Sequence, residues 1–473
     1  MLDHWVSSMA GEGALARLRE YLGELRPPAR ALLAAGLERA LARGDQMVGA
    51  AFILEELRRG LRGAADGPIA PRARRPQRMF CEPLSPFLIN QTGRYLGRVS
   101  RASLDPIWKW LCRDVVPAEA KGYVDEVERL LLIDDLAAAE QACRTFQDVV
   151  VERLREMQVG AKDDKTMRRL ATQIGLNDGG ENLRDIYTIL RSRDALAVVA
   201  SRLPPAIGNL TEHQLGNVKA LLDSPVGCHP DVFVYALIVV MSRLAAPWQL
   251  IRLAVRAANS DAATRIAQTP YALAIDLVVA EIERAIAIMR AALEAGRRAQ
   301  VVPLIKEIHD AARALHTELD LSGDHPWARK LGAARGEAAM LLKREIEAIP
   351  ERVRQLLRAR SGAEAGTPLD AAEVADTEAA LDLFGACRTR APELALSEAA
   401  RRVDSELQTF FDNGMQTLLD GQRTAPVTER AGRQSQVDAA VRFCAKLFGA
   451  EYAALLSKAA GVAAKGEVRV VRA

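Results

Sequence analysis

The stretch 232-VFVYALIVVM-241 holds ten apolar residues in succession, the longest such run in the chain. Wound as a helix it is apolar on every side, so other helices have to surround it. Ten residues reach across only about half of a bilayer's hydrocarbon core, and Arg243 follows almost at once, so the run predicts a buried core helix instead of a membrane span. Pro230 stands where a first helical residue belongs, with His229 or Asp231 beside it to cap the start. His229 to Asn259 is therefore the piece around which the rest is expected to fold.

Beyond it the apolar spacing becomes regular. In the helix expected to open at Pro270, the residues Ile275, Val279, Ile282, Ile286, Met289 and Leu293 recur at intervals of 4, 3, 4, 3 and 4. Val301, Ile305, Ile308, Ala312, Leu315 and Leu319 repeat these intervals, with a slip of phase across Gly296 to Pro303 where the seam must kink or turn. A third series, Leu342, Ile346, Ile349, Val353 and Leu356, follows GDHP at 323–326, and Pro350 should kink or break its helix. Such seams bury a narrow stripe of one helix on another. A turn of a few residues between long helices makes antiparallel neighbours within one chain the default, although pairing of two copies through residues 270–360 is the competing expectation. After a flexible break, SGAEAGTP at 361–368, one or two helices are expected from Leu369 to Leu419. A polar linker from Gly421 to Gln434 should lead to a last helix over Val437 to Ala463, and KGEVRVVRA closes the chain as a frayed tail or an edge strand.

Toward the N-terminus the elements are shorter. Two or three helices are expected over residues 13–62, one of them opened by Pro27 and Pro28 and ended by Gly44. GAADGPIAPRARRPQR at 63–78 reads as a linker carrying Arg72, Arg74, Arg75 and Arg78. From Met79 to Pro117 the sequence gathers Phe80, Phe87, Tyr95, Trp108 and Trp110, with Asp105 and Pro106 signalling a helix start. A helix pair over Ala118 to Met157 jointed at Ile133 to Leu136 is next. Three helices over 166–224 follow, separated by NDGG at 177–180 and by Pro204 and Pro205, the last with a capping box of Thr211 and Gln214.

The fold class predicted is all-α, an array of short helical hairpins followed by a bundle of long helices with heptad-like seams. It divides into a hairpin unit (1–62), the linker (63–78), the aromatic segment and helical array (79–225), the core helix and long-helix bundle (226–362), and C-terminal helices with a tail (363–473). Hydrophobic residues at 49% and charged residues at 26% of 473 suit two to four packed units of about 100 to 200 residues each. A net charge of +3 gives no general field toward nucleic acid or anionic membrane. Arginine far exceeds lysine amid much alanine and glycine, which fits a GC-rich bacterial genome. Cys81, Cys112, Cys143, Cys228, Cys387 and Cys444 form no CxxC pair and read as free thiols of a reducing compartment. The N-terminus has no basic segment leading into an apolar one, so a cytoplasmic protein is expected.

No phosphate-binding loop, dinucleotide fingerprint, nucleophile elbow or HExxH is present. His309, Asp310 and His316 make the best metal-like set, yet no partner aspartate stands at matching spacing, and two ordinary surface histidines are the reading preferred. His213, His229 and His325 each lie at a helix start. No catalytic residue, cofactor site or metal site is therefore assigned.

What remains is a surface. Tyr95, Arg98, Arg101, Trp108 and Trp110 combine the residue types that interfaces concentrate and form a candidate protein-binding set, with packing onto a helical core as the plainer role. Arg72, Arg74, Arg75 and Arg78 form a candidate anionic-surface set, with a solvated linker as theirs. The function expected is a non-enzymatic helical scaffold or adaptor of a bacterial cytoplasm that binds other proteins, with no nucleic acid, at most peripheral membrane contact, and a monomeric or homodimeric state. The alternatives are a helical enzyme or small-molecule sensor with a pocket near Trp108, Trp110 and Arg113, and a peripheral membrane tether through the arginines.

Overall fold

The protein is all-α. The computed structural model describes residues 50–464 apart from 62–73, 133–134, 161–163, 226, 322–323, 359 and 361–362, together with scattered positions between 21 and 49. The helix expected between Pro27 and Gly44 lies largely outside the described residues, and the tail 465–473 and Arg72 wholly so. Among the described residues the extended pairing comprises two parallel two-residue strands, Leu88–Ile89 and Val99–Ser100, in register Leu88 to Val99 and Ile89 to Ser100, and two isolated bridges.

Backbone packing divides the chain at Asp194, earlier than the boundary placed near 225, and assigns the three residues Tyr95–Gly97 to the second unit. The first unit contains helices Ala50–Leu61, Arg74–Phe80, Arg101–Trp110, Pro117–Leu132, Leu136–Glu156, Asp164–Ile174 and Gly179–Arg191. One helix ends at Leu132 and the next begins at Leu136, with Asp135 capping it by accepting from Ala138 N; Ile133, in the expected joint, lies outside the described residues. Two expectations are corrected here. The linker ends earlier than 78, because Arg74–Phe80 is helical. Pro76 falls in its first turn, where a missing N–H leaves no bond unmade, and the Tyr123 hydroxyl donates to its carbonyl at 2.8 Å. The helix expected to start at Asp105 starts at Arg101, with Pro106 inside it. The carbonyl that loses its donor to Pro106 belongs to Ala102, an exposed residue that water can serve. NDGG opens the next helix closely packed: a Cβ on Gly180 would lie 2.5 Å from the Met167 carbonyl oxygen.

In the second unit the expected core helix is Pro230–Arg243, with His229 Nδ1 accepting from Asp231 N and every residue from Val232 to Met241 buried except the half-buried Val234. Helices Glu212–Leu222 and Ala272–Glu294 pack on it. Leu250–Ala258 follows as a separate helix after the break at Pro247, and Asn259 ends it in the left-handed conformation. The capping box of Thr211 and Gln214 is formed. Gly97 lies on the core helix with φ +64°, where a Cβ would fall 2.5 Å from Ile238 Cδ1.

The seams close within the chain. Ala272–Glu294 packs against Val301–Glu318 and Pro326–Glu347, and all of Ile275, Ile282, Ile286, Met289, Ile305, Ile308, Leu315, Leu342, Ile346 and Val353 are buried. The third seam breaks at Ala348, two residues before Pro350, into Pro326–Glu347 and Ile349–Leu357. Arg298, 9% exposed at its side chain, holds this region by pairing with Glu345 at 3.0 Å and Asp376 at 2.6 Å, while Asp376 also takes Arg352 at 2.6 Å. Ala371–Thr389, Ser397–Arg423, Arg430–Phe448 and Ala450–Ala464 complete the unit. The polar linker expected over 421–434 shrinks to the turn between Arg423 and Arg430. The last helix is two, broken at Gly449 with φ +95°.

Candidate functional site

Trp108 and Trp110 are 8% and 3% exposed, which corrects their assignment to a recognition surface. Trp108 belongs to an aromatic core with Phe80, Tyr123 and Phe146, in which Tyr123 stacks on Phe146 at 4.4 Å and 6°. In a chain with 5% aromatics, such rings are first used to fill a core. Three thiols border this core. Burial pushes Cys81 up to about 12, with Cys143 adding to the rise, and pushes Cys112 up to about 11; neither is a thiolate nucleophile at neutral pH. Arg113 pairs with its neighbour Asp114 at 2.6 Å.

Arg101 is exposed, while Arg98 donates to the Pro86 carbonyl at 2.9 Å. Tyr95 belongs to the second unit, half-buried, where burial raises its hydroxyl pKa and Arg284, Glu283, Glu337 and Arg290 surround it. The five residues thus form no single patch within either unit. Of the arginine set, Arg78 is exposed and pairs with Glu55 at 3.4 Å; Arg72 and the side chains of Arg74 and Arg75 lie outside what is described.

The polar groups that do converge are in the second unit. Helix Val301–Glu318 supplies His309, Asp310 and His316, helix Pro326–Glu347 supplies Arg335, and the turn after Thr389 supplies Pro392 and Glu393. His309 is held at both ring nitrogens, Nδ1 at 3.0 Å from Asp310 and Nε2 at 3.5 Å from Glu393. Arg335 donates from Nε to the Glu393 carbonyl at 2.5 Å and from Nη2 to the Pro392 carbonyl at 3.3 Å, while Nη1 lies 3.4 Å from His316 Nε2. The turn that carries Glu393 holds Ala395 at φ +54°, a left-handed conformation that costs a residue with a Cβ about 1 to 2 kcal/mol.

Beside this cluster runs a groove of about 340 Å³, lined by His316, Leu319, Asp320, Leu321, Ala328, Leu331, Gly332 and Arg335. Histidine and guanidinium can both donate hydrogen bonds, and no serine, threonine or cysteine is in the lining. Among the described residues, no group of three or more His, Cys, Asp or Glu is placed to bind a metal ion, and no helix is long and apolar enough to cross a membrane. The sequence pointed to His309, Asp310 and His316 but missed Arg335 and Glu393, which are joined to each other across 58 positions with no local signal. Comparison of the chain with protein-family models, with curated proteins and with solved structures finds no match.

Proposed function

We propose that the protein is a non-enzymatic helical scaffold or adaptor that binds other proteins through exposed helix faces. The observation that carries this reading is the double-sided helix Ala450–Ala464. Its inner line, Ala453, Ala460 and Ala463, is buried against Arg430–Phe448 and Ser397–Arg423. Leu455 and Val462 on its outer side are 66% and 68% exposed, and exposed Ala459 lies between them at helical spacing. A helix apolar on two sides is suited to being covered twice, and anchors at i, i+4 and i+7 are how one helix enters another protein's groove. All six cysteines are free, which supports a reducing compartment such as a bacterial cytoplasm.

The test uses the full chain carrying a photo-crosslinking residue at position 455 or 462, or at exposed Arg401 as the control. A discrete adduct with another protein from the first two positions only, that at 462 removed by Leu455→Glu and that at 455 by Val462→Glu under an unchanged thermal melt, is the result expected. Adducts indistinguishable from the control, or adducts with a second copy alone, would overturn the adaptor reading.

A further inference from the structure

The groove beside Arg335 has three properties that together select a ligand. Arg335 is fixed along one edge by the Pro392 and Glu393 carbonyls, so the planar guanidinium is aimed before anything binds. Its remaining nitrogen, Nη1, faces the exposed ring of His316 at the groove. With the ring proton on Nε2, His316 and Arg335 are two donors side by side, 3.4 Å apart and unable to bond each other, and such a pair matches the two oxygens of a carboxylate. The lining also includes half-buried Leu321 and Ala328, backed by buried Leu319 and Leu331.

Gly332, exposed, also lines the groove. It lies inside helix Pro326–Glu347, where glycine costs about 1 kcal/mol relative to alanine. Its φ is not left-handed, and a Cβ placed on it would meet nothing within 4 Å. Neither the backbone nor the packing of the chain requires glycine there, and the open space in front of it is the groove. Asp320, also in the lining, brings a negative charge that opposes a dianion more than a monoanion.

We propose that this groove binds a small amphipathic organic monocarboxylate, with its carboxylate on Arg335 and His316 and its apolar body along Leu321 and Ala328 where Gly332 leaves room. The site is independent of the outer face of Ala450–Ala464, so either reading can fail alone.

Hexanoate is the probe, titrated calorimetrically into the full-length protein alongside hexanol and inorganic phosphate. Saturable binding of hexanoate, tighter than that of either control, is expected. His316→Ala should weaken it about tenfold, the loss of one charge-assisted hydrogen bond. Gly332→Leu should abolish it by filling the groove, while its thermal melt stays at or above that of the parent because leucine is the better helix former. Gly332→Ala, smaller but equally stabilising, should retain part of the binding. Hexanoate binding no tighter than hexanol refutes the carboxylate assignment, and phosphate binding tighter than hexanoate refutes the preference for a monoanion. Binding that survives both Gly332→Leu and His316→Ala removes the site from this groove.

Discussion

Replacing Val239 with Asp tests whether the core helix is enclosed on all sides. Val239 is 3% exposed, with Ile238 and Val240 beside it at 0%. Losing the buried valine costs about 1.5 to 3 kcal/mol, and a neutral carboxyl without a partner adds about 1 to 3 kcal/mol. Ionisation then adds a pH-dependent part. Burial raises the pKa of an enclosed aspartate by roughly 3 to 5 units over about 3.9 in the unfolded chain. The folded form therefore holds its proton where the unfolded form has released it, and stability falls by about 1.4 kcal/mol per unit as pH rises from about 4 toward the folded pKa. By pH 7 this part reaches about 4 kcal/mol, for a total of roughly 7 to 10 kcal/mol. A domain holds about 5 to 15 kcal/mol in all. Urea melts of the full chain at pH 4.5 and pH 7, with Val239→Ala as the uncharged control, should show the gap between the two variants widening with pH. A gap under about 1 kcal/mol at pH 7, or one independent of pH, would mean that water or a polar group reaches Val239, and the enclosed-core reasoning would fail.

Gly97→Ala should cost about 2 to 4 kcal/mol, since alanine at φ +64° is strained and its Cβ would fall 2.5 Å from Ile238 Cδ1; Ile238→Val in the same chain should recover the contact part and leave the dihedral part, as a double-mutant cycle in urea would read. Arg298→Ala should cost about 2 to 3 kcal/mol, below the full figure for a buried pair because the Asp376 side chain is 39% exposed, and exposed Arg401→Ala should stay within about 0.5 kcal/mol in the same melts. With a maleimide at pH 7, exposed Cys228 should label first. Cys81, Cys387 and Cys444, which burial pushes up to about 12, should label only as the chain opens.

What could be read from the sequence was what neighbours along the chain decide. The His229 cap, the Thr211 box and the break ahead of Pro350 each involve residues within a few positions, and each is formed. The seams were legible for the same reason, because a helix repeats its own face. Arg101–Trp110 was misplaced because Asp105 and Pro106 form a start signal that exposure of Ala102 lets the helix ignore. The fate of Trp108 was illegible, because interface and core want the same ring, and only Phe80, Tyr123 and Phe146, brought in from other helices, choose between them. The groove was not legible: His316 read as an ordinary surface histidine, and the orientation of Arg335 is set by two carbonyls from a turn far along the chain.

The placement of Gly97 against Ile238 sets an order of events during synthesis. About 140 residues separate the two, and at roughly 5 to 20 residues per second a ribosome takes some 7 to 30 seconds to make them. Throughout that interval the chain around Tyr95–Gly97 has emerged while its seat on Pro230–Arg243 does not yet exist. The nascent protein therefore carries an unfilled appointment near its beginning, which cannot be kept until the core helix has been translated. A pause in translation before codon 230 prolongs that wait.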